Sequence, residues 1–247
     1  MFEYSKLKIK MMQNKDTNKG LQVREGRTEL MVPHQDGKIT LVHPAYGPNT
    51  YFGVHKSISE ANLSVPTMAE TASLVYAAWQ NPEERYSKEI IRLLKDSWLW
   101  GFTGNLYVPG DGVYIQDNPK IKDGKVIMEK SKLVEALEKQ DKTVRFVPFG
   151  FKTGKQTSLE LSKNHYVVAL VGEQGADKLA QVADKYKNKA CVWSFSSIDN
   201  EVIRVSALDS DWDGRRLDVD GDGFGGGGDG YAFGVFKKSG EATRTKK

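Results

Sequence analysis

The tract from Asp209 to Gly230 constrains the fold of this chain more than any other part. It reads Asp-Ser-Asp-Trp-Asp-Gly-Arg-Arg-Leu-Asp-Val-Asp-Gly-Asp-Gly-Phe-Gly-Gly-Gly-Gly-Asp-Gly, without Lys, Glu, Gln or Met, although Lys and Glu are abundant elsewhere. Windows of such biased composition usually form loops at domain ends. Here strand-like segments bracket it on both sides: Ala190 to Phe195 and Glu201 to Leu208 before it, Tyr231 to Phe236 after it. Leu217 to Val219 offers a further short strand within it. The tract must therefore be held inside a folded sheet.

The remaining segments supply the rest of an α+β pattern. Arg27 to Val32 and Lys38 to His43, joined through Pro33 and the Asp36-Gly37 turn signal, read as a hairpin. Ala45 to Tyr51 reads as turn. The apolar stripe Met68, Ala72, Leu74, Val75, Ala78 and Trp79 predicts a helix opening after Val65-Pro66-Thr67 and closing at Asn81-Pro82. A second helix is expected from Pro82 to Trp98, with Pro82 in its first turn and Ile90, Ile91, Leu93 and Leu94 buried. Asn105 to Val108 and Gly112 to Gln116 form another hairpin around Pro109-Gly110-Asp111. Then follow a short strand at Lys125 to Met128, a helix at Ser131 to Lys139, a strand at Thr143 to Val147, a β-rich run at His165 to Val171 and an amphipathic helix at Ala176 to Lys187. Strands and helices do not alternate as a parallel α/β sheet requires. The aromatic run Trp98, Trp100 and Phe102 reads as core.

Length and charge narrow the function classes. The chain has 247 residues, enough for one domain with an insertion or for two small ones, and a net charge of +4. The positive charge gathers at the ends, so residues 1–26 read as a loose basic arm and 241–247 as a tail, with no nucleic-acid partner implied. No apolar stretch is long enough to span a bilayer and Met1 to Lys10 holds no secretory core, which predicts a soluble protein. Its location is left open. The single cysteine, Cys191, sits in an apolar run and reads as a buried hydrophobe. His34, His43, His55 and His165 show no metal-ligand spacing, and no nucleophile elbow is present. Gly225 to Gly228 lacks the helix and lysine of a phosphate loop. Nothing here points to an enzyme.

The ordered combination of Pro66-Thr67-Met68-Ala69-Glu70, Trp98-Leu99-Trp100-Gly101-Phe102, Val192-Trp193-Ser194-Phe195-Ser196, Val202-Ile203-Arg204-Val205, the Asp/Gly tract and Ala232-Phe233-Gly234-Val235 resembles the variable proteins of archaeal diversity-generating retroelements. The resemblance covers most of the chain from Val65 onward. It implies a C-type-lectin-like fold of the subgroup similar to formylglycine-generating enzymes, whose chemistry needs more cysteine than Cys191 alone. It also implies one domain over 27–240, an inserted α/β segment at about 105–190, and a variable region at about 193–235. In that family, codons rewritten at template adenines turn an Asn codon ending in C into Asp, Gly, Ser, Arg, Phe, Leu or Val, but not into Lys, Glu, Gln, Met or Trp. The tract fits this menu except at Trp212, which reads as fixed scaffold.

The implied function is ligand display. Trp193, Val202, Val205, Phe233 and Val235 would form the buried framework. Phe195, Ser197, Asp209, Ser210, Asp211, Asp213, Arg215, Arg216, Asp218, Asp220, Asp222, Phe224 and Asp229 would form an exposed, acidic patch poor in anchoring side chains. The expected partner is a protein or cell-surface ligand with a basic surface, with no cofactor; the oligomeric state is left open. The alternative is a calcium module. Asp209-x-Asp211-x-Asp213-Gly214 and Asp218-x-Asp220-x-Asp222-Gly223 resemble the start of an EF-hand loop, and Asp229 stands at the twelfth position of the second. Calcium ligands would then be Asp218, Asp220, Asp222 and Asp229.

Overall fold

The computed structural model describes residues 22–24, 29–211 and 213–236. Most of the expected basic arm, the tail 241–247 and Trp212 lie outside these residues. In chain order the elements are β1 (Gln22–Arg24), β2 (Glu29–His34), β3 (Gly37–Val42), β4 (Tyr46–Asn49), α1 (Tyr51–Glu60), α2 (Met68–Gln80), α3 (Arg85–Asp96) and β5 (Trp98–Val108). Then come β6 (Gly112–Asp117), β7 (Lys120–Lys122), β8 (Lys125–Ile127), α4 (Lys130–Glu138), β9 (Val144–Pro148), β10 (Gly154–Gln156), α5 (Ser158–Ser162), α6 (His165–Val171) and α7 (Glu173–Ala183). The chain closes with β11 (Ala190–Trp193), β12 (Val202–Ser210), β13 (Leu217–Gly223) and β14 (Gly230–Ala232).

One sheet organises the molecule, in the order β10-β11-β13-β12-β5-β14-β4. The long strand β5 is its spine. One edge of β5 pairs with β12 from Leu99↔Leu208 to Tyr107↔Val202. The other edge is shared: β14 pairs in parallel at Trp98 and Leu99, and β6 pairs antiparallel from Thr103 to Val108. β11 runs parallel to β13, with Cys191↔Asp218, Val192↔Val219 and Trp193↔Asp220 in register. The stretch expected as an insertion begins within β5 and adds β6, β9 and β10 to the same sheet.

Alternation along the strands sends side chains to two cores. Leu99, Tyr107, Leu208, Leu217 and Val219 join the core built with α2, α3, α6, α7 and the β2–β3 hairpin. Trp100, Phe102, Leu106, Val205 and Ala207 point the other way, into a core closed by α1 and α4. Each fully buried aliphatic or aromatic side chain contributes about 1.5–3 kcal/mol, so both faces hold the sheet rigid around its centre. α2 enters through a capping box: Thr67 Oγ1 accepts from the Glu70 N–H while the Glu70 carboxylate accepts from the Thr67 N–H. It docks on β5 where Gly101 leaves room, since a Cβ there would lie 2.3 Å from Met68 Sδ.

Four local readings are corrected. His165–Val171 is helical, because the Asn164 side chain accepts from the Tyr166 and Val167 N–H groups and Gly172, at φ +77°, ends the turn. Tyr51–Glu60 is a helix capped by Thr50, not a continuation of turn. The second long helix starts at Arg85 with Glu84 as its cap, so Pro82 precedes it. Trp98 opens a strand instead of closing that helix. Among the described residues no helix is long and apolar enough to cross a membrane.

Candidate binding face

The Asp/Gly tract is built into the sheet as β13, the turn before it and the loop after it. Leu217 and Val219 point into the first core, so Asp218 and Asp220 point to the opposite face, while a bulge between the Ala207↔Asp220 and Val205↔Gly223 pairs turns Asp222 back to the side of Tyr107 and Tyr166. Across the strands their neighbours are Asp209 opposite Asp218, Ala207 opposite Asp220, and Cys191 and Trp193 on β11 beside Asp218 and Asp220. Toward β5 this face is covered: Trp100 is 3 % exposed, and the glycine loop crosses Trp98 so closely that a Cβ on Gly227 would lie 1.9 Å from its ring. Toward β11 it opens, and Trp193 is 45 % exposed. The aspartates stand at the step between.

The turn ahead of β13 is self-contained. Asp211 Oδ1 accepts from the Arg215 and Arg216 N–H groups at 2.8 and 3.0 Å. Burial opposes ionisation there, yet these donors hold the Asp211 carboxyl below its ordinary value. Arg216 then makes a two-pronged ion pair with Asp218, Nε to Oδ1 at 2.6 Å and Nη2 to Oδ2 at 3.1 Å. That bond raises the Arg216 pKa further. The Arg216 guanidinium also lies 5.8 Å from the Trp193 ring centroid.

Beyond that pair, charges go unmatched. Among the described residues six buried side-chain polar atoms lack a hydrogen-bond partner, and three of them lie on β12 and β13: Arg204 Nε, Asp209 Oδ1 and Asp220 Oδ1. Buried polar atoms are nearly always paired; Asp209 and Asp220 lie on this face and Arg204 on the other. Burial, reinforced by the Asp218 charge and opposed by a hydrogen bond from Trp98, pushes the Asp209 carboxyl up to about 7. Burial and then the Asp209, Asp222 and Asp218 charges push Asp220 well above its ordinary value. Burial also raises Asp222, with Arg204 opposing.

On the other side of the sheet, the side of Tyr107 and Asn105, Arg204 stacks on Phe224, 4.1 Å from the ring centroid, and reaches toward Phe195 at 5.6 Å. Phe224 is 79 % exposed. Phe195 meets Tyr107 edge-on at 5.1 Å.

The expected patch is thus partly assembled and partly corrected. Ser197, Asp213, Arg215, Phe224 and Asp229 are exposed, while Phe195, Asp209, Ser210, Asp211, Arg216, Asp220 and Asp222 are half-buried. Asp218 is 5 % exposed and committed to Arg216, so it belongs to the frame. Ser210 is bonded to the Tyr186 hydroxyl at 2.9 Å. Trp193, expected in the buried framework, is instead a surface anchor, because strand alternation turns Val192 inward and Trp193 out. Val205, Phe233 and Val235 are buried as expected, and Val202 is half-buried. The tract therefore holds exposed aromatic anchors after all: Trp193 on this face and Phe224 on the loop after β13. Sequence reasoning passed over Arg204 and Trp98, although a lone arginine in an apolar strand was a visible signal for the first.

The two EF-hand-like runs fall on the end of β12, the turn after it and β13. Asp218, Asp220 and Asp222 lie along an extended strand, which spaces the carboxylates along its length and does not fold them around one ion. Asp211 is taken up by backbone donors. Among the described residues no group of three or more His, Cys, Asp or Glu side chains could hold a metal ion.

No family model matches the chain and no curated protein matches it. It is similar to a solved structure described in the words "accommodation of massive sequence variation in Nanoarchaeota by the C-type lectin fold", at 14% identity and a TM-score of 0.54, over 79% of this chain and 97% of that one. At that identity the likeness is one of architecture: this chain has the C-type lectin fold.

Proposed function

We propose that this protein is a ligand-binding display protein whose tract around β12–β14 is hypervariable through retroelement-directed mutagenesis. The observation that carries this reading is the pair of unpartnered aspartate oxygens, Asp209 Oδ1 and Asp220 Oδ1, beside the exposed Trp193 on one face of a rigid sheet. A buried polar atom without a partner costs stability. Exposed tryptophan is an anchor that binding surfaces use. The words describing the similar structure, massive sequence variation on this fold, support the same reading.

Binding, not catalysis, is the proposed activity. The Cys191 thiol is pushed up to about 11, by burial first and the Asp218 charge second, which leaves it a poor nucleophile. Asp209 and Asp220 on the face favour a basic protein or cell-surface ligand.

The test is the DNA around the gene. A near-repeat of the gene's 3′ end, with adenines wherever the two copies differ and a reverse transcriptase gene alongside, is the expected result. A locus with neither feature rejects the retroelement origin.

A further inference from the structure

Asp220 Oδ1 is sealed from solvent without a donor, and so is Asp209 Oδ1 on the adjacent strand. The two residues are diagonal neighbours on one face, since Asp209 pairs with Asp218 and Ala207 with Asp220. Diagonal side chains in an antiparallel pair stand about 7 Å apart or less. No cation among the described residues satisfies either oxygen. Arg216 is held by Asp218, and Arg204 lies over Phe224.

The surroundings select the missing partner. Its charge must be positive, because the groups around the pair are Asp218, Asp211 and the neutral Trp98, Trp193, Ala207 and Cys191, with Arg216 held by Asp218. The carboxylates do not converge as metal ligands do. A guanidinium fits better than an ammonium, for two reasons. Its donors fan out in a plane and can reach two separate oxygens, and its faces stack on indole rings. Trp98 and Trp193 border the pair on its two sides, and Trp193 already has one guanidinium nearby, that of Arg216.

We infer that Asp209 and Asp220 together seat one guanidinium, carried on an arginine side chain of a protein partner. This rests on the display function proposed above and names the group that the face takes.

The full chain is titrated above pH 8 with acetyl-Gly-Arg-Gly-amide, its citrulline counterpart and methylguanidinium, following indole N–H and aspartate carboxyl NMR signals. The arginine peptide is expected to shift the Trp98 indole and the Asp209 and Asp220 carboxyl signals, and the citrulline peptide to leave them in place. Asp220→Asn should weaken the arginine peptide about tenfold, the loss of one charged hydrogen bond, while Asp36→Asn, on the exposed β2–β3 turn, should not. An unchanged amide spectrum away from the face shows that Asp220→Asn is folded. Equal responses to arginine and citrulline, or undiminished affinity in Asp220→Asn, overturn the inference. If the peptide shifts Trp193 but not the aspartates, the face binds and only the guanidinium seat fails. If methylguanidinium binds as tightly as the peptide, the occupant is a free cation and the assignment to a protein side chain is wrong. If no probe moves any signal on the face, the display function loses its support along with the seat.

Discussion

The hydroxyl of Tyr166 fills the space that a side chain on Gly221 would need: a Cβ built at Gly221 lies 1.5 Å from that oxygen. The same hydroxyl donates to Asn105 Oδ1 at 3.1 Å, and Tyr107 donates to the Gly221 carbonyl at 2.9 Å. A glycine in the middle of the biased tract is therefore clamped by two buried tyrosines. Gly221→Ala should cost at least about 3 kcal/mol through forced overpacking. Gly226 and Gly228 have nothing within 4 Å of a Cβ, and alanine there should change stability by no more than about 0.5 kcal/mol. Urea unfolding of the three variants checks the contrast.

The Arg216–Asp218 pair should behave as structure and not as surface. Removing one partner of a buried ion pair strands the other, so Asp218→Asn should cost about 3 kcal/mol. Arg215, exposed and paired only with exposed Asp213, should tolerate alanine with a loss below about 1 kcal/mol. Thermal melts with both variants at one ionic strength make the comparison.

The aspartate pair sets a pH dependence with a definite sign. Asp209 and Asp220 are raised above their ordinary values, so between about pH 4 and 7 the folded protein holds protons that the unfolded chain has released. Their contribution is fully present below the unfolded value and is lost as pH rises through the folded one, about 7 for Asp209. The neighbouring Asp218 and Asp222 work in the same sense for Asp220, and Arg216 opposes them. Asp220→Asn should thus be more stable than the parent above pH 7, with the gap closing toward pH 4. Urea midpoints of both proteins across this range measure it.

Trp193 and Phe224 should matter for binding and little for folding. Both are exposed, at 45 % and 79 %, so alanine at either site should shift stability by less than about 1 kcal/mol. Each should weaken an authentic ligand by about 1 kcal/mol or more. A variant that loses binding together with stability would place that side chain in the frame.

Much of the scaffold was legible because local signals agreed. Asp36-Gly37 between alternating runs gave the β2–β3 hairpin, and Thr67 with Glu70 marked the start of α2. His165–Val171 misled because its valines suit a strand, while the deciding residues, Asn164 and Gly172, lie just outside it. Thr50 announced α1 in the same way, from within a stretch full of Pro and Gly. The site was legible in outline only. The tract's composition located it, but which aspartates are stranded depends on β13 lying between β11 and β12, in parallel with one and antiparallel with the other. Long-range strand order of that kind leaves no mark in local periodicity.

A saturation library over residues 190–235, sorted for folded protein by protease resistance, weighs the central claim most directly. The expected map has Ser197, Asp213, Arg215, Asp222, Phe224, Gly226, Gly228 and Asp229 accepting nearly any residue, while Val192, Val205, Leu208, Leu217, Val219, Gly221, Gly227 and Gly230 accept almost none. A map in which both groups are equally intolerant, or equally permissive, would contradict a free surface carried on a fixed frame.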